Sequence, residues 1–392
     1  MKKYPHFETN AVRGQMSRSQ KKEHSAPIFA TSSFVFDSAE EARAVFAEEA
    51  DGYFYSRYSN PNTDEFVEKL CALEGVDDGI ATATGMAANF LAIMAHLRAG
   101  DHIVSSRSLF TSTHQIITQL LPRYGISHTY VDCGDKEEWQ EAIMPTTRLL
   151  FIETPSNPGL DLVDIGFVVA LARENNCIVA IDNSFASPYI QTPAQFGADL
   201  ICHSATKFID GQGRTMGGAV VGSHEAMEQV RFFARQTGPT LAPFNAWILS
   251  KSLETLPVRM EKHCQNAMKF AEFLSQSKDI QSVRYPFLPS YPQYELAKKQ
   301  MRLGGAMVSF EVAGGYERCI RFIDKLEMIS VTPNLGDTRT ALTHPASTTH
   351  SKLSEDERLA VNITKELVRV SVGLEHIDDI IADVDHALKK SK

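Results

Sequence analysis

Two hydroxyls and an amine fall within four residues in Ser204-Ala205-Thr206-Lys207, just after the apolar run at 200–202. A lysine among apolar neighbours loses its proton more readily than one in water, and the free amine is a nucleophile able to form an imine with an aldehyde. Ser204 and Thr206 can donate to a phosphate. A solvated loop lysine beside turn-forming hydroxyls would share part of this pattern. Gly211, Gly213, Gly217 and Gly218 open the backbone around it, which favours a working site. Asp182 closes the run Ile178-Val179-Ala180-Ile181. A carboxylate at a buried strand end is costly unless paired, and a protonated heteroaromatic nitrogen would pair it, as would a helix cap or a structural salt bridge. Thr84-Gly85-Met86 lies between a strand-like run and a helix-like one. Unpaired N–H groups at such a helix start suit an anion, although an ordinary turn reads the same way. Asp182 and Lys207 are 25 residues apart (207 − 182), about one strand–connection–strand unit. A phosphate site, an acid for a ring nitrogen and an imine-forming lysine are the parts a pyridoxal 5'-phosphate site requires.

Positioning these groups takes a sheet. Runs at 80–83, 102–105, 149–152, 178–181, 200–202 and 219–221 read as strands, most of them bounded by Gly, Asp, Asn or Pro. Helical patterns lie between several of them. One starts at Met86, carries Phe90, Ile93, Met94 and Leu97 on one face, and reaches Gly100 as a C′ glycine. Alternating strands and helices predict an α/β fold with a central, mostly parallel sheet flanked by helices. Such sheets bind ligands at the carboxyl ends of their strands, where the polar groups above are found. The polar, turn-rich residues 1–58 read as an N-terminal arm. Residues 59–250 read as the cofactor-binding domain, and 251–392 as a smaller C-terminal α+β domain with strands at 307–312 and 368–372.

The net charge of −9 argues against nucleic acid or an anionic membrane as the partner. No 18-residue uncharged apolar run occurs, so no membrane span is expected, and no apolar stretch follows Lys2 and Lys3 as a signal peptide requires. Six scattered cysteines without a Cys-x-x-Cys pair fit thiols in a reducing cytoplasm and no metal site. Gly211-x-Gly213 lacks the further glycine of a dinucleotide fingerprint, no Gly-Lys pair offers a P-loop, and His344 and His350 read as loop residues.

Ser204-Ala205-Thr206-Lys207-Phe208-Ile209-Asp210-Gly211 closely resembles the lysine signature of the Cys/Met-metabolism pyridoxal-phosphate enzymes, which are of fold type I. Tyr55-Ser56-Arg57, Glu153-Thr154-Pro155-Ser156-Asn157-Pro158, Asp182-Asn183 and Arg369-Val370-Ser371-Val372-Gly373-Leu374-Glu375 resemble further family segments, so the likeness covers nearly the whole chain. It implies that Lys207 holds the cofactor and moves protons, and that Asp182 pairs the pyridine nitrogen. Gly85, Met86, Ser204 and Thr206 would bind phosphate, and Asn157 would contact the ring hydroxyl. Tyr55 and Arg57 would reach the phosphate of a neighbouring subunit, giving dimers with shared active sites within a homotetramer. Arg369 would clamp the substrate α-carboxylate, a task suited to a planar bidentate donor.

Two departures narrow the activity. Many members stack a tyrosine on the cofactor, whereas Ser106-Arg107-Ser108-Leu109-Phe110 places Phe110 there. Phe110 can stack but cannot donate a proton, which suits a carboxylate leaving group better than a thiolate. Members that handle cystathionine commonly carry a glutamate where this chain has Arg339, followed by Thr340. A cation there would favour the free carboxylate of a succinyl group. The expected activity is γ-replacement on O-succinyl-L-homoserine: sulfide displaces succinate to give L-homocysteine, in methionine biosynthesis. An O-acetylhomoserine ester, cysteine as nucleophile (a cystathionine γ-synthase), and a methionine or cystathionine γ-lyase are the alternatives.

Overall fold

The computed structural model describes residues 3–392; Met1 and Lys2 of the expected arm lie outside the described residues. Seven strands form the first sheet: β1 Asp78–Thr82, β2 His102–Ser106, β3 Ser127–Val131, β4 Thr147–Glu153, β5 Ile178–Asp182, β6 Leu200–His203 and β7 Gly218–Gly222. Their order is β1-β7-β6-β5-β4-β2-β3, and β7 alone runs antiparallel to its neighbours. The expected mostly parallel sheet is therefore present, with one reversed strand inside it.

Alternation explains why the central strands read as unbroken apolar runs. Leu149 and Phe151 of β4 enter the core on one face with Leu91 and Met227, whereas Leu150 and Ile152 enter the core on the other with Val168 and Val179. Side chains of a strand alternate between faces, so a strand covered on both sides must be apolar at every position. The strand β3 escaped the sequence reading for the converse reason. It is an edge strand paired only with β2, and Ser-His-Thr-Tyr-Val offers no apolar run.

The helix expected from Met86 to Gly100 spans Gly85–Met94, with Thr84 as N-cap. Gly100 is not its C′ residue. It sits at φ +93° in the turn before β2, where its N–H donates to Gly125 O at 2.8 Å. The second sheet has five strands, β8 Ile280–Arg284, β9 Met307–Val312, β10 Ser330–Val331, β11 Ala341–Thr343 and β12 Leu367–Ser371, in the order β10-β11-β12-β9-β8. Residue 250 lies inside the helix Pro243–Leu253, and the next helix begins at Leu256. Residues before 58 carry two short helices, Phe7–Arg13 and Ala39–Phe46, and expose Val35 and Phe46. No helix among the described residues is long and apolar enough to cross a membrane.

Candidate active site

Strand order decides which of the candidate groups can meet. β6, which precedes Lys207, lies beside β5, which ends at Asp182, and β5 lies beside β4, which ends at Glu153. All three therefore open onto one sheet edge. There a cavity of about 310 Å³ is lined by Gly85, Met86, Phe110, Asn157, Asp182, Ser204, Lys207 and Arg369, all expected, with Asn334 and Thr349 closing it from the C-terminal part.

At one end of this cavity lies the start of the helix Gly85–Met94. A Cβ on Gly85 would come 2.5 Å from the Cβ of Ser204, so glycine is needed for the helix end to approach the residues before Lys207. Thr84 Oγ1 accepts the Ala87 N–H at 3.1 Å. The Gly85 and Met86 N–H groups belong to the first turn, where no intrahelical acceptor exists. With the Ser204 hydroxyl they form an anion cradle. Thr206 is not part of the cavity wall. Its hydroxyl donates to Gly217 O at 3.2 Å and accepts Gly217 N–H at 3.1 Å, which ties down the turn that carries Lys207.

Lys207 Nζ donates to Asn334 Oδ1 at 2.6 Å. Burial, followed by the nearby Arg369 charge, brings the amine down to about 8 against an opposing pull from Asp182. A useful fraction is thus unprotonated near neutrality, as imine formation requires. Asp182 is 8 % exposed, and it accepts Asn89 Nδ2 at 2.8 Å on one oxygen and the Ser184 N–H at 3.0 Å on the other. Asn89 is in turn within 3.2 Å of Thr113 Oγ1. The carboxylate is fixed by donors and remains free for a further cationic N–H.

Arg369 enters from β12 and is 2 % exposed. It donates to Asn157 Oδ1 at 2.8 Å and to Pro333 O at 3.0 Å, while its Nε has no partner. Burial lowers its pKa to about 10, which still leaves it charged at neutral pH. A buried guanidinium with an unpaired N–H calls for an anion, and a carboxylate supplies one. Gly336, at φ +78°, lets the Asn334 loop reach this place, since a Cβ there would lie 2.7 Å from Lys207 C.

Other expected residues lie elsewhere. Tyr55 is 43 % exposed, and the Arg57 guanidinium lies 4.6 Å from the Tyr58 ring and donates to Arg235 O. Arg57 lines a separate cavity with Asp78, Arg231 and Thr240. Neither residue touches the Lys207 cavity of its own chain. Arg339, expected as the cation for a distal carboxylate, forms a two-point pair with Asp337 at 2.9 and 2.8 Å and is exposed. Thr340 is buried away from the cavity, its N–H and hydroxyl both donated to Glu375 at 2.6 and 2.8 Å. Neither position lines the cavity; each is tied to a carboxylate outside it.

Sequence reasoning gave no role to Asn89, Glu153 or Asn334. Asn89 was within reach of pattern analysis, since it lies four residues after Gly85 and so on the same helix face. Asn334 was not, because only the close approach at Gly336 brings it to Lys207. Among the described residues, no group of three His, Cys, Asp or Glu side chains could hold a metal ion.

This fold and site define a pyridoxal-phosphate enzyme of fold type I. The family model for "Cys/Met metabolism PLP-dependent enzyme" matches residues 8–389, and the chain belongs to that family. An "O-succinylhomoserine sulfhydrylase" of Pseudomonas aeruginosa is 46 % identical over 97 % of this chain and 95 % of that protein. An "L-methionine gamma-lyase" of Porphyromonas gingivalis is 43 % identical over 97 % of this chain and 96 % of that one. A crystal structure from Campylobacter jejuni, holding N'-pyridoxyl-lysine-5'-monophosphate, superposes with a TM-score of 0.94 at 34 % identity, covering 98 % of this chain and 100 % of that chain. The cofactor is pyridoxal 5'-phosphate, and the anion cradle, the held carboxylate and the depressed lysine fit it.

Proposed function

We propose that this enzyme is an O-succinylhomoserine sulfhydrylase, converting O-succinyl-L-homoserine and sulfide into L-homocysteine and succinate. The observation that carries the reading is Phe110 in the cavity wall, its backbone N–H held by Glu153 Oε2 at 2.7 Å. An aromatic ring without a hydroxyl cannot protonate a departing thiolate, whereas succinate leaves as a weak base and needs no proton. The similarity to the Pseudomonas sulfhydrylase supports the same activity.

Bound pyridoxal phosphate supplies an aldehyde for the substrate amine and a protonated ring that draws electrons from Cα. The chain does the rest. Lys207 would hold the cofactor through its side-chain nitrogen and, once displaced by the substrate amine, would accept the Cα proton as free amine. Asp182 takes the ring N–H, a charge-assisted bond of about 1.5–3 kcal/mol. Arg369 Nε takes the substrate α-carboxylate and orients Cα toward Lys207. Gly85, Met86 and Ser204 hold the phosphate. Removal of a further proton, from Cβ, would let succinate leave Cγ with the bonding electrons, and HS⁻ would then add at Cγ as protons return to Cβ and Cα. Tyr55 and Arg57 are exposed and lie away from the Lys207 cavity of their own chain, and we propose that they serve a second subunit in a homotetramer of dimers with shared sites.

The test pairs each homoserine ester with sulfide and then with cysteine, and offers methionine alone. Homocysteine formed fastest from the succinyl ester and sulfide supports the reading. Ammonia and 2-oxobutyrate from methionine as the main products would establish the γ-lyase instead, the activity named for the Porphyromonas relative.

A further inference from the structure

Glu153 is the one carboxyl in the cavity wall that the chemistry above leaves without a task. It closes β4 directly beside Asp182, which closes β5, and the two are register partners. Adjacent parallel strands present register partners on the same face, about 4.8 Å apart. Both carboxyls line the cavity. Glu153 is 4 % exposed, and among the described residues no lysine, arginine or histidine nitrogen reaches it within 4.0 Å. The cations lining the cavity are Lys207 and Arg369.

The two carboxyls lie at adjacent strand ends, and both are buried. Their hydrogen bonds divide the roles. Asp182 is gripped by a side-chain amide and a backbone N–H, and faces the place that a ring cation fills. Glu153 accepts instead from the Phe110 backbone N–H at 2.7 Å, at the point where the chain turns from β2 into the segment that carries the ring. Burial, and next the charge of Asp182, push the Glu153 carboxyl well above its usual range, while the Phe110 and Asn157 N–H groups and the Arg369 charge act the other way.

The geometry points to Glu153 as a positioning residue for Phe110: by accepting the Phe110 backbone N–H, its carboxyl fixes where the aromatic side chain enters the cavity. The inference rests on the proposed placement of the cofactor in this cavity. It assigns a role to the first residue of the Glu153–Pro158 segment and explains how a ring with no polar handle is kept in place.

The experiment compares Glu153→Ala, Glu153→Gln and Glu153→Asp holoenzymes by turnover, by the visible circular dichroism of the bound cofactor, and by Tm. Glu153→Ala is expected to lose about 10- to 100-fold in turnover, the scale of a misplaced positioning group, together with most of the visible dichroism. Glu153→Gln, neutral and of the same length, rescues both signals. Glu153→Asp, shorter by a methylene, does not, and this contrast decides the matter even if the alanine variant fails to fold. In a Phe110→Ala background, Glu153→Ala costs less than about twofold more, because residues that act through one another are not additive. A glutamine variant as impaired as alanine would show that a negative charge is needed and overturn the proposal. So would fully multiplicative losses for Phe110 and Glu153. Wild-type protein whose cofactor borohydride does not link to Lys207 would instead remove the site assignment underneath.

Discussion

Arg369 and Arg339 are two guanidiniums from the same C-terminal part of the chain, and they meet opposite fates. Arg369 sits on the middle strand of the five-stranded sheet, 2 % exposed, with one N–H left over. The Arg339 side chain is 68 % exposed, and its Nε and Nη2 are paired with the neighbouring Asp337. The first is a charge held out of water by the fold and completed only by a ligand. The second is satisfied by its own loop and by solvent. A site cation is recognised by this incompleteness rather than by its charge.

If that contrast is right, disturbing the cavity should far outweigh disturbing the loop. The largest effect belongs to Lys207→Ala. Turnover should fall by about 10³-fold or more, since proton transfer alone is worth about 10²–10⁴, and borohydride should no longer join cofactor to protein. A covalent link surviving in that variant would place the anchor on another lysine.

Arg369→Ala comes next. Loss of a buried, hydrogen-bonded charge partner costs about 2–5 kcal/mol, so kcat/KM should drop by roughly 30- to 5,000-fold. The loss should shrink for substrate analogues without an α-carboxylate. Equal losses for both analogues would mean that Arg369 only supports Asn157 and the 333–334 backbone.

A smaller, continuous effect follows from Lys207 itself. Its pKa of about 8 lies below the usual lysine value, so the free amine predominates above that pH and declines by about tenfold per pH unit below it. Cofactor-free protein should therefore take up pyridoxal phosphate faster as pH rises, levelling off above about 8. By the same shift, this group binds fewer protons folded than unfolded between about 8 and 10.5, so its contribution to stability improves as pH rises through that window. An uptake rate that still climbs steeply at pH 10 would contradict the buried placement.

Arg339→Glu should have the smallest effect. An exposed pair contributes little, so the preference for succinyl over acetyl ester should shift by less than about threefold. A reversal of preference would show that the loop closes onto substrate and would erase the distinction drawn here.

Much of this was readable from residue order. Parallel strands covered on both faces must be apolar throughout, which exposes them as runs, and polar residues at their carboxyl ends then mark the ligand edge. Asp182, Ser204 and Lys207 were found in this way. The strand β3 was not, because an edge strand with one neighbour need not be apolar. Nor could Thr340 be excluded, since its capture by Glu375 joins positions 35 residues apart.

Local chemistry was therefore settled by the sequence: an amine, a carboxylate and a glycine-opened helix start, each at the end of a strand. Residue types and spacing suffice for that, because alternation and turn formation act over a few residues. Which arginine faces the cavity, and that Asn334 holds the lysine, were decided only when the C-terminal part of the chain met the carboxyl edge of the first sheet. Burial and the pairing of distant donors are properties of that packing and leave no periodic trace along the chain.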